Sequence, residues 1–397
     1  MSDKPRGRRR RILIVIGTRP EAIKMAPVVL ALRREPWVDV RIVATAQHRQ
    51  MLDQVLVAFG LAPDIDLDIM RPDQSLPELT ARLLLRLDRV FADEAPDAVL
   101  AQGDTTTAMA VALAAFYRRI PVGHVEAGLR TGDLHSPYPE EMNRIVAGRL
   151  SRWHFAPTTR ARDNLLAEGV DPAAINVTGN TVIDALEHVA GRDYPLPVDI
   201  PADKRLVLVT AHRRENFGAP FCQVCEGILE LVDRHPDIHV LYPVHPNPNV
   251  RIQAREMLGM HPAITLCEPL EYLAFVAAMK RATLILTDSG GVQEEAPALG
   301  KPVLVMRHGT ERPEGVEEGV VKLVGPNRGA IVMAASRLLE DPVAYAAMAR
   351  GASPYGDGQA AERIAAILRN ALGSRIPSRP RAGSRRDSLA LVEQAHP

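Results

Sequence analysis

Short β-branched runs alternate with longer segments in which apolar residues return every three or four positions. RILIVIG (11–17) reads as a strand and EAIKMAPVVLALRR (21–34) as a helix. VDVRIVATA (38–46) and QMLDQVLVAFG (50–60) repeat that unit. A long helical pattern over 75–94 leads to DAVLAQG (97–103), TTTAMAVALAAFYRR (105–119) and IPVGHV (120–125). WHFAP (153–157), INVTG (175–179) and a helix near 180–190 continue the alternation. Strands separated by helices of this length predict crossover units, hence a parallel sheet covered on both faces.

The rhythm stops at GRDYPLPVDIPAD (191–203), rich in proline and acid, and restarts with RLVLVTAH (205–212). IHVLYPVH (238–245), AITLCEP (263–269), ATLILTD (282–288) and KPVLVM (301–306) follow. The predicted organisation is a basic disordered arm over 1–11, a Rossmann-like domain over 12–190 and a linker over 191–203. A second Rossmann-like domain over 204–355 follows, then a helix over 356–372 packing back on the first domain, and a disordered tail over 373–397. This is an α/β chain of two doubly wound domains. Its ligand site is expected at the carboxyl ends of the strands, in the cleft between the domains.

Composition removes several function classes. Forty-eight basic residues balance 48 acidic ones over 397 residues, which gives no argument for nucleic acid or an anionic membrane as partner. No apolar run has membrane-spanning length. ILIVIG after the basic MSDKPRGRRRR is too short for a signal-peptide core. The three cysteines fit a reducing cytosol, and Cys222 and Cys225, although spaced C-x-x-C, fall on a predicted helix without a second ligand pair and read as packing.

The candidate chemistry sits where the fold expects it. GTRPE (17–21), GDTTT (103–107) and HVEAG (124–128) end strands in the first half; AHRREN (211–216), PVHPN (243–247) and TDSGG (287–291) do so in the second. TDSGGVQEEA combines a strand, a glycine turn and a helix start, whose free amides and dipole suit a phosphate or diphosphate. A helix cap by Ser289 is the competing account. Arg19, Lys24, Arg213, Arg214 and Arg312 are candidate cations across the cleft. Asp104, before a helix, fits an N-cap as well as chemistry; Glu126, between Val125 and Ala127, has no cap to make. Glu140 suits the positive end of a helix, and His212 could be a buried, hydrogen-bonded histidine. Three acids and a histidine converging beside a diphosphate site suggest proton transfer on a phosphate-linked substrate.

GTRPEAIKMAP, TAQHRQMLDQ, GDTTT, GHVEAGLRTGD, SPYPEE, TGNTVIDAL, AHRREN, YPVH, TDSGG, TERPEGVE and SPYGDGQA, in this order from about residue 12 to 371, resemble the bacterial non-hydrolysing UDP-N-acetylglucosamine 2-epimerases. The resemblance implies a glycosyltransferase-B fold and a cytosolic homodimer that interconverts UDP-GlcNAc and UDP-ManNAc without nicotinamide, other cofactor or required metal. It implies expulsion of UDP to leave bound 2-acetamidoglucal, then re-addition with the proton on the opposite face, supplying ManNAc for cell-surface polysaccharide. Acid–base work falls to Asp104, Glu126 and Glu140, with His212 beside the diphosphate. Arg19, Lys24, Arg312 and the amides of Ser289, Gly290 and Gly291 stabilise the leaving group. Glu295 takes the ribose, and Phe275 with the backbone near Leu270 flanks the uracil.

The resemblance also implies an activating second UDP-GlcNAc held by Gln47, Gln50, Glu140, Arg213 and His245, although Asp73 places an acid where a diphosphate contact is expected. Gln102 stands where the family commonly has histidine; His308, Gly309 and Pro246 depart as well. A hydrolysing epimerase, a glycosyltransferase of the same fold, or an inactive nucleotide-sugar-binding protein are the alternatives.

Overall fold

The first strand, β1 (Arg10–Ile16), is apolar from Ile12 onward because helices cover both of its faces: Ile12 through Ile16 are buried to within one per cent. The computed structural model describes residues 8–45, 49–71, 74–351 and 353–373. Within them β1 lies beside β2 (Val38–Ala44), which lies beside β3 (Ile65–Asp66). On its other side β1 meets β4 (Ala98–Gln102), followed outward by β5 (Val122–Val125), β6 (Trp153–Ala156) and β7 (Ile175–Val177). The order is β3-β2-β1-β4-β5-β6-β7 and every pairing is parallel.

The second sheet repeats the plan. β8 (Arg205–Thr210) separates β9 (Ile238–Pro243) and β10 (Ile264–Cys267) from β11 (Ala282–Thr287), β12 (Val303–Val305) and β13 (Val321–Leu323). The order is β10-β9-β8-β11-β12-β13, again parallel. Strand order reverses at β1/β4 in one sheet and at β8/β11 in the other. Loops leaving the two strands on either side of such a reversal run to opposite faces and open a crevice between them.

Residues 191–203 carry neither helix nor strand. The last described helix, Ala360–Leu372, lies against the helix Arg19–Arg33 that follows β1. Its first turn has no side-chain cap of its own; Asp184 supplies one, accepting from the amides of Ala360 at 3.2 Å and Ala361 at 2.7 Å. Burial raises Asp184 to about 6 against those hydrogen bonds.

Two differences from the sequence reading are local. Arg10 and Arg11 belong to β1 rather than to an arm, and Arg10 pairs with Asp97 at 2.9 Å. The edge strands Ile65–Asp66 and Val321–Leu323 are too short for a periodicity to show. Residues 1–7 of the expected arm and 374–397 of the expected tail lie outside the described residues. Among the described residues no helix is long and apolar enough to cross a membrane.

Candidate active site

Loops from both reversal points line one cavity of about 650 Å³ between the sheets. On the first sheet, Thr18 caps the helix after β1 in a capping box with Glu21. Glu21 returns to the amides of Gly17 and Thr18 and also accepts from the Thr105 hydroxyl, and burial pushes it up to about 7 against those bonds. Arg19 reaches across the cleft to donate to the Leu270 carbonyl at 3.1 Å. Burial lowers its pKa.

Asp104 is not a helix cap. The cap of helix Thr106–Tyr117 is Thr105, which accepts from the Ala108 amide at 3.2 Å. Asp104 comes one residue too early, which leaves its carboxylate on the cavity wall, paired with the buried Arg144. Arg144 in turn bonds Glu141 at 3.0 Å, and Asn143 donates to the Asp104 carbonyl at 2.9 Å. Arg144 and Asn143 are site residues that sequence reasoning missed; the Asn and Arg that trail SPYPEE are the signal that places them there.

Glu126 is 8% exposed and takes a left-handed backbone, φ 64°. That costs a non-glycine residue on the order of 1 kcal/mol. It turns the acid off the end of β5 while Ala127 resumes a bond to the Phe155 carbonyl at 3.1 Å. The Glu126 carboxylate accepts from Lys24 Nζ at 2.8 and 2.6 Å and from Gln102 Nε2, and lies 3.9 Å from the Arg312 guanidinium. Glu294, reaching in from the second sheet, meets Lys24 at 3.3 Å and holds Arg312 Nε. Two cations and two carboxylates thus knot the sheets together beneath the cavity. Burial, reinforced by the charge of Glu294, raises Glu126 above the usual carboxylate range although Lys24 and Arg312 oppose it. Burial alone would raise Glu294 too, but Arg312 and Lys24 outweigh it and hold this carboxyl low. Glu294 is a further site residue that sequence reasoning missed: its only signal is its place beside Glu295.

Glu140 begins the helix Glu140–Leu150, is half-buried, and stands off the cavity wall.

On the second sheet the fully buried Asp288 organises the turn after β8. It accepts from the amides of His212 and Arg213, each at 2.8 Å, and from Asn216 at 3.3 Å; its other oxygen is 3.4 Å from His212 Nδ1. The His212 ring thus stands beside the Asp288 carboxylate without a hydrogen bond to it, and burial lowers its pKa despite Asp288, so the neutral imidazole lines the cavity near pH 7. It stacks on His245, ring centres 5.3 Å apart. Ser289 makes no side-chain cap to helix Gly290–Ala298, and the start of that helix, Ser289, Gly290 and Gly291, opens onto the cavity. A side chain at Gly290 would meet the Arg312 guanidinium at 2.6 Å, so glycine there lets the cation lie over the helix end. Glu295 accepts from the Tyr272 hydroxyl at 3.3 Å, and burial pushes it up to about 7. Leu270 and Phe275 complete that wall.

The profile of the UDP-N-acetylglucosamine 2-epimerase family matches residues 30–369. The chain belongs to that family. It is 54% identical over 372 residues to the UDP-N-acetylglucosamine 2-epimerase of Escherichia coli K12, covering 91% of this chain and 98% of that one. The crystal structure of a putative UDP-N-acetylglucosamine 2-epimerase from Listeria monocytogenes superposes with a TM-score of 0.87 at 50% identity over 93% of this chain and 98% of its own. The Neisseria meningitidis UDP-GlcNAc 2-epimerase, solved bound to UDP-GlcNAc, superposes at 0.85 with 47% identity over 91% of this chain and 100% of its own. The expected glycosyltransferase-B arrangement of two parallel-sheet domains about a cleft is therefore the fold of this family member.

Against that family, His308, Gly309 and Pro246 are exposed and off the cavity, whereas Gln102 is on its wall. Arg213 and His245 also line the cavity beside His212. Gln47 and Asp73 lie outside the described residues, as does the side chain of Gln50.

Proposed function

We propose that the chain interconverts UDP-GlcNAc and UDP-ManNAc without releasing free sugar. The observation that carries this reading is the facing of two carboxylates, Asp104 and Glu126, by a neutral histidine and an uncapped helix start across one cavity. The Neisseria relative, which binds UDP-GlcNAc, supports the choice of ligand.

Carbon 2 of the sugar is not adjacent to a carbonyl, so simple removal and return of its proton is a poor route. In the proposed reaction the C1–O bond to the diphosphate breaks and its electron pair leaves on UDP. A carboxylate takes the proton from C2, and the former C–H pair becomes the C1–C2 double bond of 2-acetamidoglucal. Return of a proton to the other face of C2 and of the diphosphate oxygen to C1 completes the inversion. Two faces require two proton-handling groups. Asp104 and Glu126 supply them, and Glu140 joins them when the cleft narrows. His212 shares the proton of the departing phosphate. Arg312, Lys24, Arg19 and the Ser289–Gly291 amides carry the charge that develops there. Glu295 receives the ribose, and Leu270 and Phe275 the uracil.

The same reading makes the protein a cytosolic homodimer that feeds cell-surface polysaccharide, with a second UDP-GlcNAc bound near Arg213 and His245 as activator. Gln47, Gln50 and Glu140 complete that second site.

The test is to follow UDP-GlcNAc with the protein in deuterated water by NMR. UDP-ManNAc carrying deuterium at carbon 2 is the expected product. Accumulation of free ManNAc and UDP would establish a hydrolysing enzyme instead, and bound but unchanged UDP-GlcNAc would establish a binding protein.

A further inference from the structure

Gln102 ends β4 immediately before the Gly103–Asp104 turn, is 5% exposed, and lines the cavity. Its Nε2 donates to Glu126 Oε2. Among the described residues, the groups facing Glu126 come from four elements: Lys24 on the helix after β1, Gln102 on β4, Glu294 on the helix after β11, and Arg312 at the start of the short helix Pro313–Glu317. Lys24 and Arg312 can only donate. Glu294 meets the cluster through those two cations. Gln102 alone of the four carries both a donor and an acceptor on one planar group.

We propose that Gln102 is a positioning residue that serves Glu126 in both of its protonation states by turning its side-chain amide. With Glu126 ionised, the NH2 group faces the carboxylate, as the structure shows. Once Glu126 has taken a proton, half a turn about the terminal torsion presents the amide oxygen to the new O–H. That torsion is broad and roughly two-fold, so the exchange needs no charge change and no movement of β4. A donor-only side chain would hold Glu126 as carboxylate and an acceptor-only one as acid; an imidazole would have to change tautomer or charge at each step. The inference rests on the reading above that Glu126 takes up and returns a proton.

The experiment compares Gln102→Met, Gln102→His and Gln102→Glu with wild type by two measurements. Infrared difference titration of the carboxylate band that is lost in Glu126→Gln needs no turnover. In Gln102→Met both forms of Glu126 lose a partner, so its midpoint should rise only by the excess of the charge-assisted bond to the carboxylate over the neutral bond to the acid, less than about one pH unit. The second measurement is the pH profile of epimerisation. Gln102→Met should lower kcat by about 10- to 100-fold with KM changed less than about threefold, the scale of a lost acid–base partner. Gln102→His should recover most of kcat and add an ionisation near the imidazole range of about 6.5 to the acidic limb. Gln102→Glu should raise the Glu126 midpoint further, since a like charge disfavours ionisation. A Gln102→Met protein with an unmoved Glu126 midpoint and kcat within about twofold of wild type overturns the proposal. Absence of C2 exchange in wild type would remove the functional reading, while the infrared titration would still decide whether Gln102 governs Glu126.

Discussion

Lys24 Nζ sits 2.6 and 2.8 Å from the two carboxylate oxygens of Glu126, although the residues are 102 positions apart and leave different strands of the sheet. The pair is buried, and its further neighbours Glu294 and Arg312 belong to the other sheet. A buried ion pair adds little net stability over a well-packed apolar one, but removing one member leaves an uncompensated charge.

Lys24→Met should therefore destabilise the protein by about 3–5 kcal/mol, measured by denaturant unfolding. The same change should move the acidic limb of the activity profile upward, because Glu126 loses the cation that opposes its rise. The double variant Lys24→Met with Glu126→Gln should regain part of the stability and none of the turnover. Additive losses in the double-mutant cycle would show that the two side chains act independently.

Asp104→Asn should lower turnover by at least about 100-fold, the scale for an acid–base group, and weaken the pair with the buried Arg144, which keeps Glu141 as its partner. Thr105→Ala should leave that pair intact and cost about 1 kcal/mol of stability through the lost cap. The contrast follows from Thr105, not Asp104, bonding the Ala108 amide. Unfolding curves and initial rates on both variants check it. Equal turnover in Asp104→Asn and wild type would remove Asp104 from the mechanism.

His124 on β5 is 1% exposed and bonds the Gly103 carbonyl at 2.7 Å through Nε2, with Nδ1 buried and without a hydrogen-bond partner. Burial pushes it down to about 4. Its folded pKa lies below the unfolded value of about 6.5, so the unfolded chain binds the extra proton between those values. The stabilisation is full above about pH 6.5 and is lost as pH falls toward 4. A glutamine side chain in its place can keep the donor to Gly103 without titrating. The stability of the His124→Gln protein relative to wild type should thus improve on acidification by up to about 3 kcal/mol, read from paired denaturant melts. Glu21 and Glu295, both pushed up to about 7, act in the opposite sense, which is why the paired difference rather than the wild-type curve is the measurement.

Activation by a second UDP-GlcNAc predicts a lag when the reaction starts from UDP-ManNAc alone, abolished by a trace of UDP-GlcNAc. Gln47→Ala should remove the stimulation and leave UDP binding intact in calorimetry. Hyperbolic kinetics from UDP-ManNAc without response to UDP-GlcNAc would refute the second site and leave the epimerase reading standing.

What the sequence determined by itself was the layout: alternating apolar runs specify strands and crossover helices, and polar clusters at strand ends such as GDTTT and TDSGG mark where a parallel sheet exposes its loops. Those are local signals, written within a dozen residues, together with ordered motifs that resemble one family along most of the chain. Tertiary structure alone decided which of these residues act on one another. It made Thr105 the cap and freed Asp104 for Arg144, turned Glu126 through a left-handed backbone onto Lys24, and brought Glu294 and Arg312 from the second sheet beneath the same carboxylate. It also set Gln102 against Glu126 and left Glu140 off the wall. The physical reason is that charge pairing and burial depend on distances of a few ångströms between groups far apart in the chain, 24 positions for Gln102 and Glu126 and 102 for Lys24 and Glu126, and no local pattern encodes them.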